Sequence, residues 1–207
     1  MKKIALFGLA ADPPTLGHKY VVNSILDSNL VDEVWVNPVF VHFHNKKMES
    51  YSDRFRMCEL LFNDLKDKVK VVRFEEEAYK YYQEYNGSTV DLLNYLRGSN
   101  NYGNTEFYIV IGQDNAEAIS TWNNGYRLIN QDKFIVIPRE VPIEKSISKW
   151  YQKYPHCFLS EVPKFLASST EVRNELSKEP KEFNKLNSLV SPEVLSYLIN
   201  KNLYNKE

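Results

Sequence analysis

The sequence predicts an α/β fold, a parallel sheet covered by helices on both faces. Two observations predict it. Short apolar runs at residues 3–7 (KIALF), 34–36, 107–111 (FYIVI) and 134–137 (FIVI) have the length of buried strands, and each is closed by a glycine or a proline: Gly8, Pro38, Gly112 and Pro138. Between these runs lie amphipathic stretches, and strands alternating with helices imply βαβ units.

Taken in order, residues 3–7 make the first strand. Over residues 17–29, Val21, Val22, Ile25 and Leu26 recur at helical spacing, with Leu30 just beyond. Residues 34–36 form the second strand, stopped by Pro38. Ser52 is placed to cap a helix whose stripe is Phe55, Cys58, Leu61, Phe62 and Leu65. Residues 69–74 read as the third strand. Thr89 precedes Asp91 and the run Leu92, Leu93, Leu96, a short capped helix. Residues 107–111 are the central strand. Leu128 and Ile129 close another short helix before the strand at 134–137, and 157–159 reads as the last strand. Helices follow at 169–177 and 192–202; in the second, Pro192 takes the first turn after Ser191, and Val194, Tyr197, Leu198 and Lys201 share a face. No internal repeat or low-complexity linker interrupts the pattern. The expectation is a single domain, 1–207, with a Rossmann-like doubly wound sheet and a small C-terminal helical part at 169–207. In such folds ligands bind beyond the carboxyl ends of the strands. Chemistry is therefore expected after Phe7, Val36, Ile111, Ile137 and Leu159.

Composition narrows the class. At 207 residues, about 70% of the chain's surface can be buried on folding, so no disulfide or metal staple is needed. Hydrophobic residues are 43% and charged residues 26%, which excludes wholesale disorder. The net charge is −1, which supplies no excess positive field for nucleic acid. Any anion must be held by a local site. Cys58 and Cys157 form neither a zinc pair nor a disulfide framework. The apolar run of MKKIALFG is too short for a signal segment or a membrane span, and the mean hydropathy is −0.46. The expectation is a cytoplasmic protein that contacts no membrane.

Three strings carry the chemistry. After the first strand comes Gly8-Leu9-Ala10-Ala11-Asp12-Pro13-Pro14-Thr15-Leu16-Gly17-His18. Small residues at 8, 10 and 11 let phosphates approach the backbone. Gly17 and His18 open a helix, where N–H groups and the dipole attract anions. Thr15 and His18 are three apart and can face one anion. After the central strand, Gly112-Gln113-Asp114 supplies an acid suited to ribose hydroxyls. Trp122, eight residues past Asp114, offers a flat face for an aromatic ring, or else reads as a half-buried core aromatic. Finally, Ala167-Ser168-Ser169-Thr170-Glu171-Val172-Arg173 joins hydroxyls and N–H groups at a helix start to a guanidinium fork one turn on.

These strings resemble the (H/T)xGH nucleotidyltransferase superfamily, which joins a nucleotide to a phosphorylated acceptor and releases pyrophosphate. Thr15-Leu16-Gly17-His18 is the TxGH form, and the SSTEVR string resembles the element that grips ATP phosphates. Within it, Gly112 to Trp122, Asn86 to Leu93, Lys46-Lys47 with Arg54 and Met57, Val136 to Arg139, and the closing Leu-Tyr at 203–204 resemble the nicotinate/nicotinamide mononucleotide adenylyltransferases. Leu9, Ala10 and Ala11 depart from that pattern, as does Leu92. The resemblance implies AMP transfer from ATP to nicotinate or nicotinamide mononucleotide in NAD biosynthesis. It implies His18, Thr15, Lys46 and Arg173 as catalytic residues. Gly8, Ala10, Gly17, Ser168, Ser169 and Thr170 join His18 and Arg173 around ATP. Lys47, Thr89, Gly112, Asp114, Trp122 and Arg139 surround the pyridine nucleotide. Mg²⁺ is expected on the ATP phosphates without a protein metal cage, and a homo-oligomer stays open. Two rivals are a transferase acting on another acceptor, such as phosphopantetheine, and a non-catalytic nucleotide-binding regulator.

Other features read as structural. Glu75-Glu76-Glu77 is expected to be a solvated acidic face, and Tyr79, Tyr81, Tyr82 and Tyr85 a surface aromatic patch. His42 and His44 read either as exposed loop residues or as phosphate contacts beside Lys46 and Lys47. His156 reads as structural.

Overall fold

Six parallel strands in the order β3-β2-β1-β4-β5-β6 build the sheet. The computed structural model describes residues 1–41, 47–99, 102–138, 149–160, 162 and 167–205. The strands are β1 (Lys2–Leu9), β2 (Glu33–Pro38), β3 (Val69–Val71), β4 (Thr105–Gly112), β5 (Lys133–Ile137) and β6 (Cys157–Phe158). The helices are α1 (Leu16–Asp27), α2 (Tyr51–Leu61), α3 (Phe74–Tyr81), α4 (Thr89–Gly98), α5 (Gln113–Ala118), α6 (Gly125–Gln131), α7 (Ser169–Leu176), α8 (Phe183–Leu189) and α9 (Pro192–Asn200).

The two-residue period of the strands divides the core. Ala5, Val34, Val36, Val110 and Ile135 point to one face, where Val22 and Ile25 of α1, Met57 and Leu61 of α2, and Val172, Leu186 and Leu198 of α7 to α9 cover them. Ile4, Leu6, Ile109, Ile111, Phe134 and Val136 point to the other, under Phe74 and Ala78 of α3, Leu93 and Leu96 of α4, and Leu128 of α6. Each fully buried aliphatic or aromatic side chain contributes about 1.5–3 kcal/mol. The inner positions of the runs are apolar one after another because both faces are covered. No helix among the described residues is long and apolar enough to cross a membrane.

The structure corrects the sequence reading at several points. The third strand ends at Val71, and Phe74 opens α3 instead of closing a strand. The Val72 N–H makes the last bond to the sheet, at 2.9 Å from the Val36 carbonyl. Glu75, Glu76 and Glu77 then occupy the first turn of α3, where negative charge complements the dipole. The cap of α2 is Ser50, whose hydroxyl accepts the Asp53 N–H at 3.1 Å, and not Ser52. Glu75 and Tyr85 are buried rather than solvated. The Tyr85 hydroxyl donates to Glu75 Oε2 at 2.7 Å. The sequence reading assigned no helix at α3, α5 or α8.

Candidate active site

The chain steps outward from β1 through β2 to β3, then returns to β4 and steps the other way. The carboxyl ends of β1 and β4 therefore flank the switch point, where such sheets bind ligands. Gly8 lies there, in register with Asn37 of β2. It is exposed, and a Cβ built on it would meet no atom within 4 Å. The space above this backbone is open to a ligand. Asn37 is fully buried, with Oδ1 accepting the Glu75 N–H at 3.4 Å and no partner for Nδ2 among the described residues.

The loop after β1 is held from several directions. Ala11 has φ 54°, a left-handed conformation that costs a non-glycine residue on the order of 1 kcal/mol or more. One residue further on, the Asp12–Pro13 peptide bond is cis. Beneath the loop lies Arg54 of α2, only 2% exposed. Its Nη1 donates to the Ala10 carbonyl at 2.7 Å and its Nε to the Glu49 carbonyl at 2.9 Å. Burial pulls the Arg54 pKa down, and the neighbouring Asp12 charge opposes that shift. The Asp12 carboxylate, also 2% exposed, accepts the Glu49 N–H at 3.1 Å and the Tyr204 hydroxyl at 2.7 Å, both on Oδ1. Asp12, Arg54 and Tyr204 are absent from the sequence-derived site residues. Their roles depend on contacts 37 to 192 residues away in the chain, which no local pattern announces.

At the start of α1 the His18 ring folds back over the helix terminus. Its Nδ1 accepts the Thr15 N–H at 3.0 Å and lies 2.9 Å from Thr15 Oγ1. An Nδ1 that accepts an N–H is unprotonated, so the ring proton sits on Nε2. Thr15 is fully buried, and its hydroxyl donates to the Ala167 carbonyl at 3.1 Å. It orients His18 and ties α1 to the last motif, rather than presenting a free hydroxyl to an anion as the sequence suggests.

The third string meets the first directly. Ser168 caps α7 by accepting the Glu171 N–H at 3.1 Å. The Ser169 hydroxyl donates to the Pro13 carbonyl at 2.8 Å. Arg173 donates from Nη1 to the Asp12 carbonyl at 2.6 Å and from Nη2 to Thr170 Oγ1 at 3.1 Å. Ser168 and Thr170 are exposed and Arg173 is half-buried, so this helix start faces outward beside the β1 loop. Two strings more than 150 residues apart thus form one hydrogen-bonded unit.

The remaining sequence-derived residues distribute around this unit. Gly112, at the end of β4, registers with Ile137, and Asp114 is exposed in the first turn of α5. Trp122 is half-buried against the core face shared by α4 and α6. Its carbonyl accepts the Gly125 N–H at 3.0 Å in a tight turn. A Cβ at Gly125 would fall 1.8 Å from the Ile119 carbonyl oxygen, so only glycine fits. Thr89 is half-buried at the first position of α4, and Lys47 is exposed. Lys46, Arg139, His42 and His44 lie outside the described residues. His156 packs its ring 4.8 Å from Trp150 and 5.7 Å from Phe134. Cys58 and Cys157 are free thiols, and burial raises both pKa values.

The model of the cytidylyltransferase-like family matches residues 6–175, which spans the TxGH and SSTEVR strings. The chain belongs to that family. Among cytidylyltransferase-like proteins it is 30% identical to the nicotinate-nucleotide adenylyltransferase of Bacillus subtilis, over 99% of each chain. It is also similar to the solved nicotinic acid mononucleotide adenylyltransferase of Plasmodium falciparum complexed with NaAD, at 27% identity and a TM-score of 0.81, covering 99% of this chain and 98% of that one. A second structure of the Plasmodium enzyme, complexed with APC, gives a TM-score of 0.79 at 27% identity, with the same coverage.

Proposed function

We propose that this chain transfers AMP from ATP to nicotinate mononucleotide, forming the deamido dinucleotide and pyrophosphate. The observation that carries the reading is the union of the TxGH and SSTEVR strings through Thr15 to Ala167, Ser169 to Pro13 and Arg173 to Asp12. The similarity to named nicotinate-nucleotide adenylyltransferases over the whole chain supports the acid as acceptor.

In the reaction an oxygen of the acceptor's 5′-phosphate attacks the α-phosphorus of ATP. The bond from that phosphorus to the β-bridging oxygen breaks, and pyrophosphate leaves with the electron pair. The attacking oxygen is already anionic at pH 7, so the protein's task is to align two polyanions and offset their charge. His18, with its proton on Nε2, donates to the α- and β-phosphates. The N–H groups of α1 after Thr15, together with Gly17, face the same group, while Gly8 and Ala10 let it approach the backbone. Ser168, Ser169, Thr170 and Arg173 hold the outer phosphates. Lys46 or Lys47 meets the acceptor phosphate or the leaving pyrophosphate. Trp122 stacks on the pyridine ring, Thr89 contacts its carboxylate, and Gly112, Asp114 and Arg139 complete the acceptor side.

Mg²⁺ enters as part of the substrate, on the ATP phosphates, where it offsets charge. Asp12, the one carboxylate of the first string, is committed to the Tyr204 hydroxyl and the Glu49 N–H. We place the reaction in the cytoplasm, where ATP is available.

A pyrophosphate-release assay with a panel of acceptors tests the reading. Nicotinate mononucleotide should give the highest kcat/KM, above the amide. Preference for phosphopantetheine, or ATP binding without turnover on any acceptor, would replace it with one of the rivals.

A further inference from the structure

We propose that Tyr204 is a positioning residue for the phosphate end of the site, acting through Asp12 on Arg173. The inference rests on the functional reading above and extends it to a residue outside the three strings.

Asp12 is held at both ends. Its carboxylate Oδ1 takes the Tyr204 hydroxyl at 2.7 Å and the Glu49 N–H at 3.1 Å. Its main-chain carbonyl takes Arg173 Nη1 at 2.6 Å, while Oδ2 lies 3.9 Å from the same guanidinium. Arg173 therefore faces two negative partners, Asp12 and the incoming phosphates. Tyr204 sets how strongly Asp12 competes. With the phenol donating to it, the buried carboxylate is drawn toward the C-terminal tail and away from Arg173. Without that donor, an acceptor that is 97–98% sheltered from water has lost one of its two hydrogen bonds on Oδ1. The Arg173 guanidinium, already 3.9 Å from Oδ2, is within reach of it. A full ion pair there would withdraw the guanidinium from the substrate.

The tail is built to deliver this hydroxyl. After α9 the Leu203 N–H donates to the Leu198 carbonyl at 3.0 Å, and Leu203 and Tyr204 pack against the core face that α1 and α2 share. Tyr204 itself adopts φ 61°, a conformation unfavourable to an aromatic residue that surrounding contacts must hold. Burial and the bond to Asp12 raise the phenol's pKa, so it stays a donor at every working pH.

Tyr204→Phe keeps the ring and removes only the donor. The test compares it with the parent protein and with Arg173→Ala and the double variant. Measured are ATP affinity by calorimetry without acceptor, kcat and KM for both substrates, and the thermal midpoint, with activities referred to the folded fraction. The expected result is an ATP affinity and a kcat/KM for ATP reduced about tenfold, with KM for the mononucleotide unchanged. In the Arg173→Ala background the same change should cost less than twofold, because no cation remains at 173 for Asp12 to withdraw. An unchanged ATP affinity, or an equal tenfold loss in both backgrounds, would overturn the inference. A parent protein that binds ATP but makes no dinucleotide would overturn the functional reading instead, while the coupling between positions 204 and 173 would still be scored in binding.

Discussion

The Thr15 N–H donates to Nδ1 of His18 at 3.0 Å, so a main-chain group selects which imidazole nitrogen carries the proton. A TxGH string places the histidine at the third helical position, where its ring reaches back to the N-cap. His18→Ala removes the oriented Nε2–H donor and leaves the fold in place. It should lower kcat by about 10²–10³, as for one lost electrostatic stabiliser. Steady-state kinetics on the acceptor panel check this, and near-normal turnover would remove His18 from the mechanism.

Arg54 bridges Ala10 and Glu49 with two different nitrogens of one planar group. Lysine keeps the charge but not the fork. Arg54→Lys should destabilise the protein by about 1–3 kcal/mol, the cost of leaving a buried carbonyl unpaired. Urea unfolding measures it. A ΔΔG within 0.5 kcal/mol would show that the loop is held without the bridge.

How much of this was legible beforehand follows from range. The sheet was readable because its inner strands are buried on both faces and reach a glycine or proline near their carboxyl ends, as at Gly8, Gly112 and Pro38. α1, α4, α7 and α9 were readable from caps and apolar spacing. The local shape of the TxGH and SSTEVR strings was readable because each is a loop running into a helix start. The roles of Asp12, Arg54 and Tyr204 were not, since the contacts of Asp12 with Glu49 and Tyr204 and of Arg54 with Ala10 span 37 to 192 residues. Glu75 misled for a similar reason. Three consecutive glutamates look solvated, but on α3 they face different sides, and the first turns inward to Tyr85.

Glu75 gives stability a pH dependence. Burial raises its pKa from 4.5 to about 7, and the hydrogen bonds from Tyr85 and the Phe40 backbone limit the rise. The folded chain keeps a proton that the unfolded chain releases. This contribution is therefore full below pH 4.5 and fades as pH rises to 7. The gap corresponds to about 3 kcal/mol. Glu75→Gln should leave stability little changed at pH 5 and make the variant relatively more stable by up to that amount at pH 8. Unfolding curves at the two pH values check the difference, and a constant ΔΔG would exclude a titrating Glu75.

Trp122 and Gly125 form a matched pair. Trp122→Ala should raise KM for the pyridine nucleotide about tenfold with little effect on KM for ATP. Gly125→Ala should act in the same direction by a different route. Its Cβ conflicts with the Ile119 carbonyl and forces the turn that carries Trp122 to shift. If Gly125→Ala raised KM for ATP alone, the turn would belong to the other substrate.

The contacts that fasten the loop after β1 also set an order of assembly. They join residues 152, 156, 161 and 192 positions apart. Closing such long loops costs entropy that only a nearly finished sheet can offset. As denaturant is added, these fastenings should be the first to let go. Catalysis would then fade while the strands still hold, and enzymatic decay would give earlier warning of unfolding than any optical signal from the backbone.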